Sequence, residues 1–301
     1  MRTLLKVLAL SAALASPGAL AQTDFSKYEV QAIKLTDTVY MLTGAGGNLG
    51  VSAGEDTVFL IDDQYAPMTE KITAAIRKIS AKPVQFVLNT HWHGDHSGGN
   101  ENFGKAGSII VAHDNVRKRM SVEQFIETFN MRTPPAPKAA LPVITFAGAT
   151  TFHLNGDEIR AIHMPSAHTD GDTIVHFLRN DVVHMGDIYF NGMYPFIDGA
   201  SGGTVEGVIG ACDKVLGITT DKTRIIPGHG PVSNKTELKA YRDMLAAISA
   251  RIRDMIRQGR KLEEITAANI NAEFDEKWNK GFLKGPKFIE MLAKDMIKRA
   301  S

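Results

Sequence analysis

The run Val84-Gln85-Phe86-Val87-Leu88-Asn89 leads through Thr90 into His91-Trp92-His93-Gly94-Asp95-His96, and the fold is read outward from this stretch. Its first six residues read as a buried strand. On an extended backbone residues i and i+2 point the same way, so His91 and His93 converge on one metal ion. Gly94 permits a sharp change of direction, after which Asp95 and His96 are presented on the other side. One short loop therefore has the means to feed two adjacent metal sites. Four ligand-type residues in six positions make poor core filler, because a buried Asp beside three imidazoles is costly without a cation. The residue types fit zinc.

Further ligand types follow other strand-like segments. His168 lies in the polar turn Ser166-Ala167-His168-Thr169-Asp170-Gly171-Asp172, just before the run Thr173 to Leu178. Asp187 closes His184-Met185-Gly186-Asp187, after the short run Val182 to His184. His229 stands in Ile226-Pro227-Gly228-His229-Gly230-Pro231, where flanking glycines let the backbone bring the ring close to a ligand.

The surrounding pattern predicts two sheets. Val39 to Thr43, Asn48 to Ser52 and Val58 to Ile61 are short strands punctuated by glycines, an antiparallel meander. Thr69 to Ile79 has helical spacing. The theme repeats with strands at Ile144 to Phe146, Thr151 to Leu154, Glu158 to Ile162, Thr173 to Leu178 and Val182 to His184, then a helix over Val205 to Leu216 and a strand at Arg224 to Ile226. Two runs of strands, each closing with a helix and a further strand, predict packed sheets with helices outside. Beyond His229, Tyr241, Leu245, Ile248, Ile252 and Ile256 recur at helical spacing, which predicts an amphipathic helix packed on the rest.

In order and context these segments resemble the motif set of the metallo-β-lactamase superfamily, over roughly Val39 to Pro231. The resemblance implies an α+β chain with an αβ/βα four-layer sandwich and a metal site at one edge of the two sheets. It implies that His91, His93 and His168 bind a first zinc ion, that Asp95, His96 and His229 bind a second, and that Asp187 bridges them, giving two Zn2+ per chain. The chemistry it implies is hydrolysis of a small-molecule carbonyl substrate by a metal-bridging hydroxide, with Asp95 orienting the nucleophile.

Within that superfamily, the efficient zinc β-lactamases of the best-known class have Cys where this chain has Asp187, and Lys where it has Phe190. Both departures imply weak or incidental β-lactam hydrolysis. Thioesterases of the glyoxalase II type share the bridging Asp and a helical C-terminal region, and a lactonase is a further alternative. Exported β-lactamase-like hydrolases with the bridging Asp match best. Oxygen-using relatives hold a single iron with part of the motif, and the full seven-ligand set argues against that reading.

Composition narrows the field further. Thirty-four Lys plus Arg against 33 Asp plus Glu leave no electrostatic footprint for nucleic acid, and one Cys excludes an internal disulfide. Arg2 and Lys6, the apolar run Val7 to Ala15 and Ala19-Leu20-Ala21 read as a secretory leader over residues 1–21 cut before Gln22, which predicts a periplasmic protein without a membrane anchor. Residues 22–232 are then expected to form the catalytic domain and residues 233–301 a helical extension packed on it. Cys212 is expected to be packing, and His113, His153, His163, His176 and His184 to be structural. Thr133 to Pro142, with four prolines, is expected to be extended and non-helical. Met131 to Pro142 and Tyr194-Pro195-Phe196 are the expected pocket wall.

Overall fold

The computed structural model describes residues 23–300; the expected leader and its cleavage point before Gln22 lie outside the described residues. The first sheet contains β1 (Gln31–Lys34), β2 (Val39–Thr43), β3 (Leu49–Ala53), β4 (Val58–Ile61), β5 (Val84–Leu88), β6 (Ile109–His113) and β9 (Ile144–Phe146), in that spatial order. A short hairpin of β7 (Gln124–Ile126) and β8 (Met131–Thr133) projects between β6 and β9 in the chain. The second sheet contains β10 (Ala149–Leu154), β11 (Asp157–His163), β12 (Thr173–Phe177), β13 (Val182–His184) and β14 (Arg224–Ile226).

The meander β2-β3-β4 is antiparallel, as its glycine-punctuated pattern predicts, whereas β4-β5, β5-β6 and β13-β14 are parallel. Alternation decides what each face buries. Phe59 and Ile61 of β4 join Leu88, Val111, Val175, Phe177 and Ile226 in the core between the sheets. Val58 and Leu60, one residue out of phase, pack with Ile72 and Ile76 of α1 (Thr69–Arg77). A strand covered on both faces must be apolar throughout, and all four residues of β4 are buried.

Three short helices, α2 (Gly94–Ser97), α3 (Asn100–Lys105) and α4 (Asp114–Met120), follow α1. The outer face of the second sheet packs under α5 (Val205–Ile218), α6 (Lys235–Arg257) and α9 (Gly285–Ala300), the last reached through α7 (Leu262–Ala267) and α8 (Asp275–Trp278), with Val183 and Ile225 in one core with Val208, Ile248 and Phe288. The layers are thus helix, sheet, sheet, helix, the four-layer α+β sandwich that the resemblance implies, with helices at its C-terminal end. Cys212 is fully buried in this core. No helix among the described residues is long and apolar enough to cross a membrane.

The proline-rich stretch corrects one expectation. Within it, Lys138–Ala140 forms a turn of 3-10 helix. Pro137 precedes the turn and needs no donor of its own there, and its carbonyl accepts the Ala140 N–H at 2.8 Å.

Candidate metal centre

The ligand-type residues gather at one edge of both sheets because the topology sends them there. β4, β5, β13 and β14 end at this edge, and just beyond their last residues stand Asp62, His91, Asp187 and His229. His168 enters the same edge just before β12, which runs antiparallel to β13. His93, Asp95 and His96 follow His91 on the loop and its short helical turn Gly94–Ser97. All seven residues named from the sequence come together here in two groups of possible metal ligands. His91, His93, His168 and Asp187 form one, and Asp95, His96, Asp187 and His229 the other.

The hydrogen bonds fix which nitrogen each ring presents. His96 Nδ1 donates to Asp62 Oδ2 at 2.7 Å, and His168 Nδ1 donates to the Phe196 carbonyl at 2.8 Å, leaving both Nε2 lone pairs facing the cluster. His93 is reversed: Nε2 donates to Asp198 Oδ2 at 3.0 Å, so Nδ1 faces inward. Thr90 Oγ1 donates to Asp62 Oδ2 at 2.7 Å and is left to accept from His91 Nδ1 at 3.0 Å, which turns His91 Nε2 inward. Asp62 therefore supports one imidazole of each group, His96 directly and His91 through Thr90.

The inward atoms lack ordinary partners. Buried His91 Nε2 and Asp187 Oδ1 have no hydrogen bond, and His168 Nε2 faces His93 Nδ1 at 2.8 Å, lone pair against lone pair. Burial holds His91 well below the usual imidazole range and takes His168 down to about 4. Protonation of His91 or His168 is thus disfavoured, and a cation between the rings would satisfy their inward lone pairs.

Spacing agrees. Four atoms around zinc at 2.0–2.1 Å lie roughly 3.3 Å apart. Asp187 Oδ2 is 3.8 Å from His91 Nε2 and 3.7 Å from His168 Nε2. Its Oδ1 is 2.9 Å from His96 Nε2 and 3.3 Å from His229 Nε2. Asp95 Oδ2 lies 3.2 Å from His229 Nε2 and 3.6 Å from His96 Nε2. Burial acts to lower His229, but Asp187 and Asp95 outweigh it and push the ring up to about 9. The cluster is therefore compatible with metal binding, and one carboxylate offers an oxygen to each group.

Glycines make the close approach possible. The Gly228 N–H donates to the Gly186 carbonyl at 2.7 Å, and a Cβ at 228 would collide with that carbonyl and with Asp187 Oδ1. At Gly47 a Cβ would overlap the His96 ring.

Residues 43–245 match the model of the metallo-beta-lactamase superfamily. The chain belongs to the metallo-β-lactamase superfamily. It is a hydrolase of that superfamily, and the match runs on into α6. The Caenorhabditis elegans beta-lactamase-like protein 2 homolog is 24% identical over 263 residues, 81% of this chain and 79% of that protein. The 2,4-dinitroanisole O-demethylase subunit alpha of Nocardioides sp. (strain JS1661) is 24% identical over 228 residues, 75% of this chain and 63% of that one. Among solved structures, a metallo-beta-lactamase from Pontibacter korlensis superposes with a TM-score of 0.61 at 18% identity, covering 72% of this chain and 99% of that one. The sec-alkylsulfatase Pisa1 from Pseudomonas sp. gives 0.66 at 18% identity, covering 90% and 50%. These structural likenesses show the shared superfamily fold.

Sequence reasoning missed Asp62, Thr90 and Asp198, the residues that aim the imidazoles. One signal was present for Asp62, since Asp62-Asp63-Gln64 ends a buried strand much as Thr90-His91 does. Of the expected wall, Met131, Thr133 and Phe196 line the cavity above the cluster, whereas Tyr194 turns away and donates to Asp275 at 2.8 Å. Among the histidines expected to be structural, His184 Nε2 donates to the Asn48 carbonyl at 3.1 Å, and His113 stacks on His163 at 3.6 Å.

Proposed function

We propose that this superfamily member is a dinuclear zinc hydrolase that adds water across the acyl bond of a small-molecule carbonyl substrate, with β-lactam hydrolysis weak or incidental. The observation that carries this reading is the pair of ligand groups sharing Asp187, with inward lone pairs aimed by partners outside the cluster. His91, His93 and His168 would hold the first zinc, and Asp95, His96 and His229 the second, with Asp187 between them. Two bound zinc ions supply a nucleophilic water at neutral pH and a Lewis acid for the carbonyl oxygen.

The chain's own residues do the rest. Asp62, Thr90, Asp198 and the Phe196 carbonyl lock the imidazoles in the orientation the metals need. Asp95 faces the cavity. Burial acts to raise it, but His96 and His229 hold it at about 2, so it stays a carboxylate. There it would orient the attacking water by accepting a hydrogen bond from it. The water oxygen ends on the acyl carbon, the bond from that carbon to the leaving heteroatom breaks, and the proton goes to the leaving atom.

Low β-lactam turnover has two supports. The shared ligand is a carboxylate and not a thiolate. Phe190, where the efficient enzymes are expected to carry Lys, is 1% exposed and lies flat against His229 at 5.0 Å. The leader pattern supports a periplasmic mature protein beginning at Gln22, with residues 22–232 as the catalytic domain and 233–301 as its helical extension.

The test is a substrate panel. Zinc-loaded mature protein is assayed on a chromogenic cephalosporin, a thioester, a lactone and an aryl ester. The expected result is a kcat/KM of roughly 10⁴–10⁸ M⁻¹s⁻¹ for one non-β-lactam carbonyl class, with the cephalosporin far below it. No turnover of any member overturns the reading, and a dominant cephalosporin rate overturns its β-lactam part.

A further inference from the structure

The cavity over the cluster has a volume of about 550 Å³, within the range of small-molecule sites, and its walls are asymmetric in chemistry. At its floor are His93, Asp95, Asp187 and His229. Along one side an aromatic line runs outward from the ligand rings. Phe196 packs 5.9 Å from His93 and 5.7 Å from His168, Phe129 lies 4.8 Å from Phe196, and Phe282 lies 6.1 Å from Phe129. These side chains come from three distant segments: the turn between β7 and β8, the loop after β13, and the link leading to α9. The outer two remain uncovered, Phe129 at 43% and Phe282 at 58% exposure. Large apolar side chains clustered at the mouth of a cavity mark a surface that a ligand covers.

Charge is equally one-sided. Among the described residues lining the cavity there is no Lys or Arg, and its carboxylates are Asp95 and Asp187. Three basic side chains of the surrounding segments are engaged in pairs of their own. Arg132 lies over the Phe125 ring at 4.9 Å and pairs with Glu123 at 2.9 Å, Lys294 pairs with Glu127 at 2.6 Å, and Arg119 pairs with Asp170 at 2.7 Å. A substrate carboxylate remote from the reacting carbonyl would be desolvated here with no Lys or Arg of the lining to pair with it.

We infer that the substrate is a neutral carbonyl compound with an extended apolar substituent, laid along Phe196, Phe129 and Phe282, and that Phe282 sets how much of that substituent is gripped. The inference rests on the hydrolytic reading and adds the substrate class to it. Hydrolysis balances as above: one water is consumed, and a carboxylic acid and the leaving alcohol, amine or thiol are released.

The experiment pairs turnover with binding. p-Nitrophenyl acetate, butyrate, hexanoate and octanoate are compared with the mono-p-nitrophenyl ester of suberic acid, which matches the octanoate in length but ends in a carboxylate. Methyl octyl ketone and its ω-carboxylate analogue are titrated calorimetrically as ligands that are not hydrolysed. Burying a methylene is worth roughly a fourfold gain, so kcat/KM should climb about fourfold per methylene until the wall is covered. The suberate ester should fall at least tenfold below the octanoate, and the neutral ketone should bind more tightly than its charged analogue. Phe282→Ala should flatten the chain-length series and Phe282→Leu should restore most of it; the side chain is largely exposed, so folding is unaffected. Turnover with a flat series, or with the suberate ester equal to the octanoate, overturns this inference and leaves the hydrolytic reading standing. No turnover of any ester here or of any member of the substrate panel, but tighter binding of the neutral ketone that weakens in Phe282→Ala, overturns the hydrolytic reading and supports the pocket assignment.

Discussion

Replacing Asp62 with Asn preserves shape and volume but changes one lone pair into a donor, and the consequence is predictable from three hydrogen bonds. Asp62 Oδ1 accepts the Thr90 N–H at 2.7 Å, while Oδ2 accepts both His96 Nδ1 at 2.7 Å and the Thr90 hydroxyl at 2.7 Å. An amide that keeps its oxygen on the Thr90 N–H turns its NH2 towards His96 Nδ1–H, donor against donor. The opposite flip sets the NH2 against the Thr90 N–H. Either arrangement leaves one donor pair opposed, and only the first can be relieved, by His96 moving its proton to Nε2, the atom that faces Asp187 at 2.9 Å. His91 is affected less, because it depends on Asp62 only through the Thr90 hydroxyl, whose oxygen still accepts its Nδ1 proton while the amide NH2 faces that oxygen.

Losing such a supporting carboxylate typically lowers metal affinity 10- to 100-fold, or about 1.4–2.7 kcal/mol. The loss should fall on the metal held by Asp95, His96 and His229, with the other metal within about threefold of wild type. Competition with a chromophoric chelator at controlled free zinc resolves the two steps. Thr90→Val is the companion variant and should weaken the metal held by His91. Two wild-type affinities in Asp62→Asn, or an equal loss at both sites, would refute the reasoning.

Gly228→Ala should abolish binding of both metals or prevent folding, since a Cβ there meets Asp187 Oδ1 and the Gly186 carbonyl; metal content together with circular dichroism separates the two, and a metal-loaded folded variant contradicts the close-approach argument. His113, lowered chiefly by burial and stacked at 3.6 Å on His163, is held neutral in the native state. The unfolded chain protonates first, near pH 6.5, so this contribution to stability is full above that pH and is lost as pH falls through it. His113→Gln should flatten the fall seen in denaturant midpoints at acid pH. Phe288→Ala removes a fully buried ring stacked 4.7 Å from Tyr194 and should cost about 3–5 kcal/mol in guanidinium unfolding.

Ten strands between Val39 and Ile226 were legible because their apolar runs are buried on one or both faces, so pattern and burial coincide, whereas β6, β7 and β8 were not legible. β1 was not, because all four of its residues are exposed and it pairs along an edge through backbone bonds alone. The seven candidate ligands were legible because imidazoles and carboxylates crowded at the ends of buried strands are costly to bury without a cation. Asp62 and Asp198 were not, since their partners His96 and His93 stand 34 and 105 residues away and tertiary folding alone joins them. The same holds for the cavity wall, where Phe129 meets Phe282 only because α9 returns to the sheet edge. Phe190, read from the sequence only as the residue standing in place of a Lys, is buried against His229, a contact that tertiary folding alone creates.

Metal content of the mature protein tests the central claim most directly. Mass-spectrometric metal analysis, joined to hydrolysis of the best panel substrate, should give about two zinc per chain, with activity lost on chelation and regained with zinc. One iron per chain, or full activity in metal-free protein, would contradict the dinuclear zinc hydrolase proposed for this cluster.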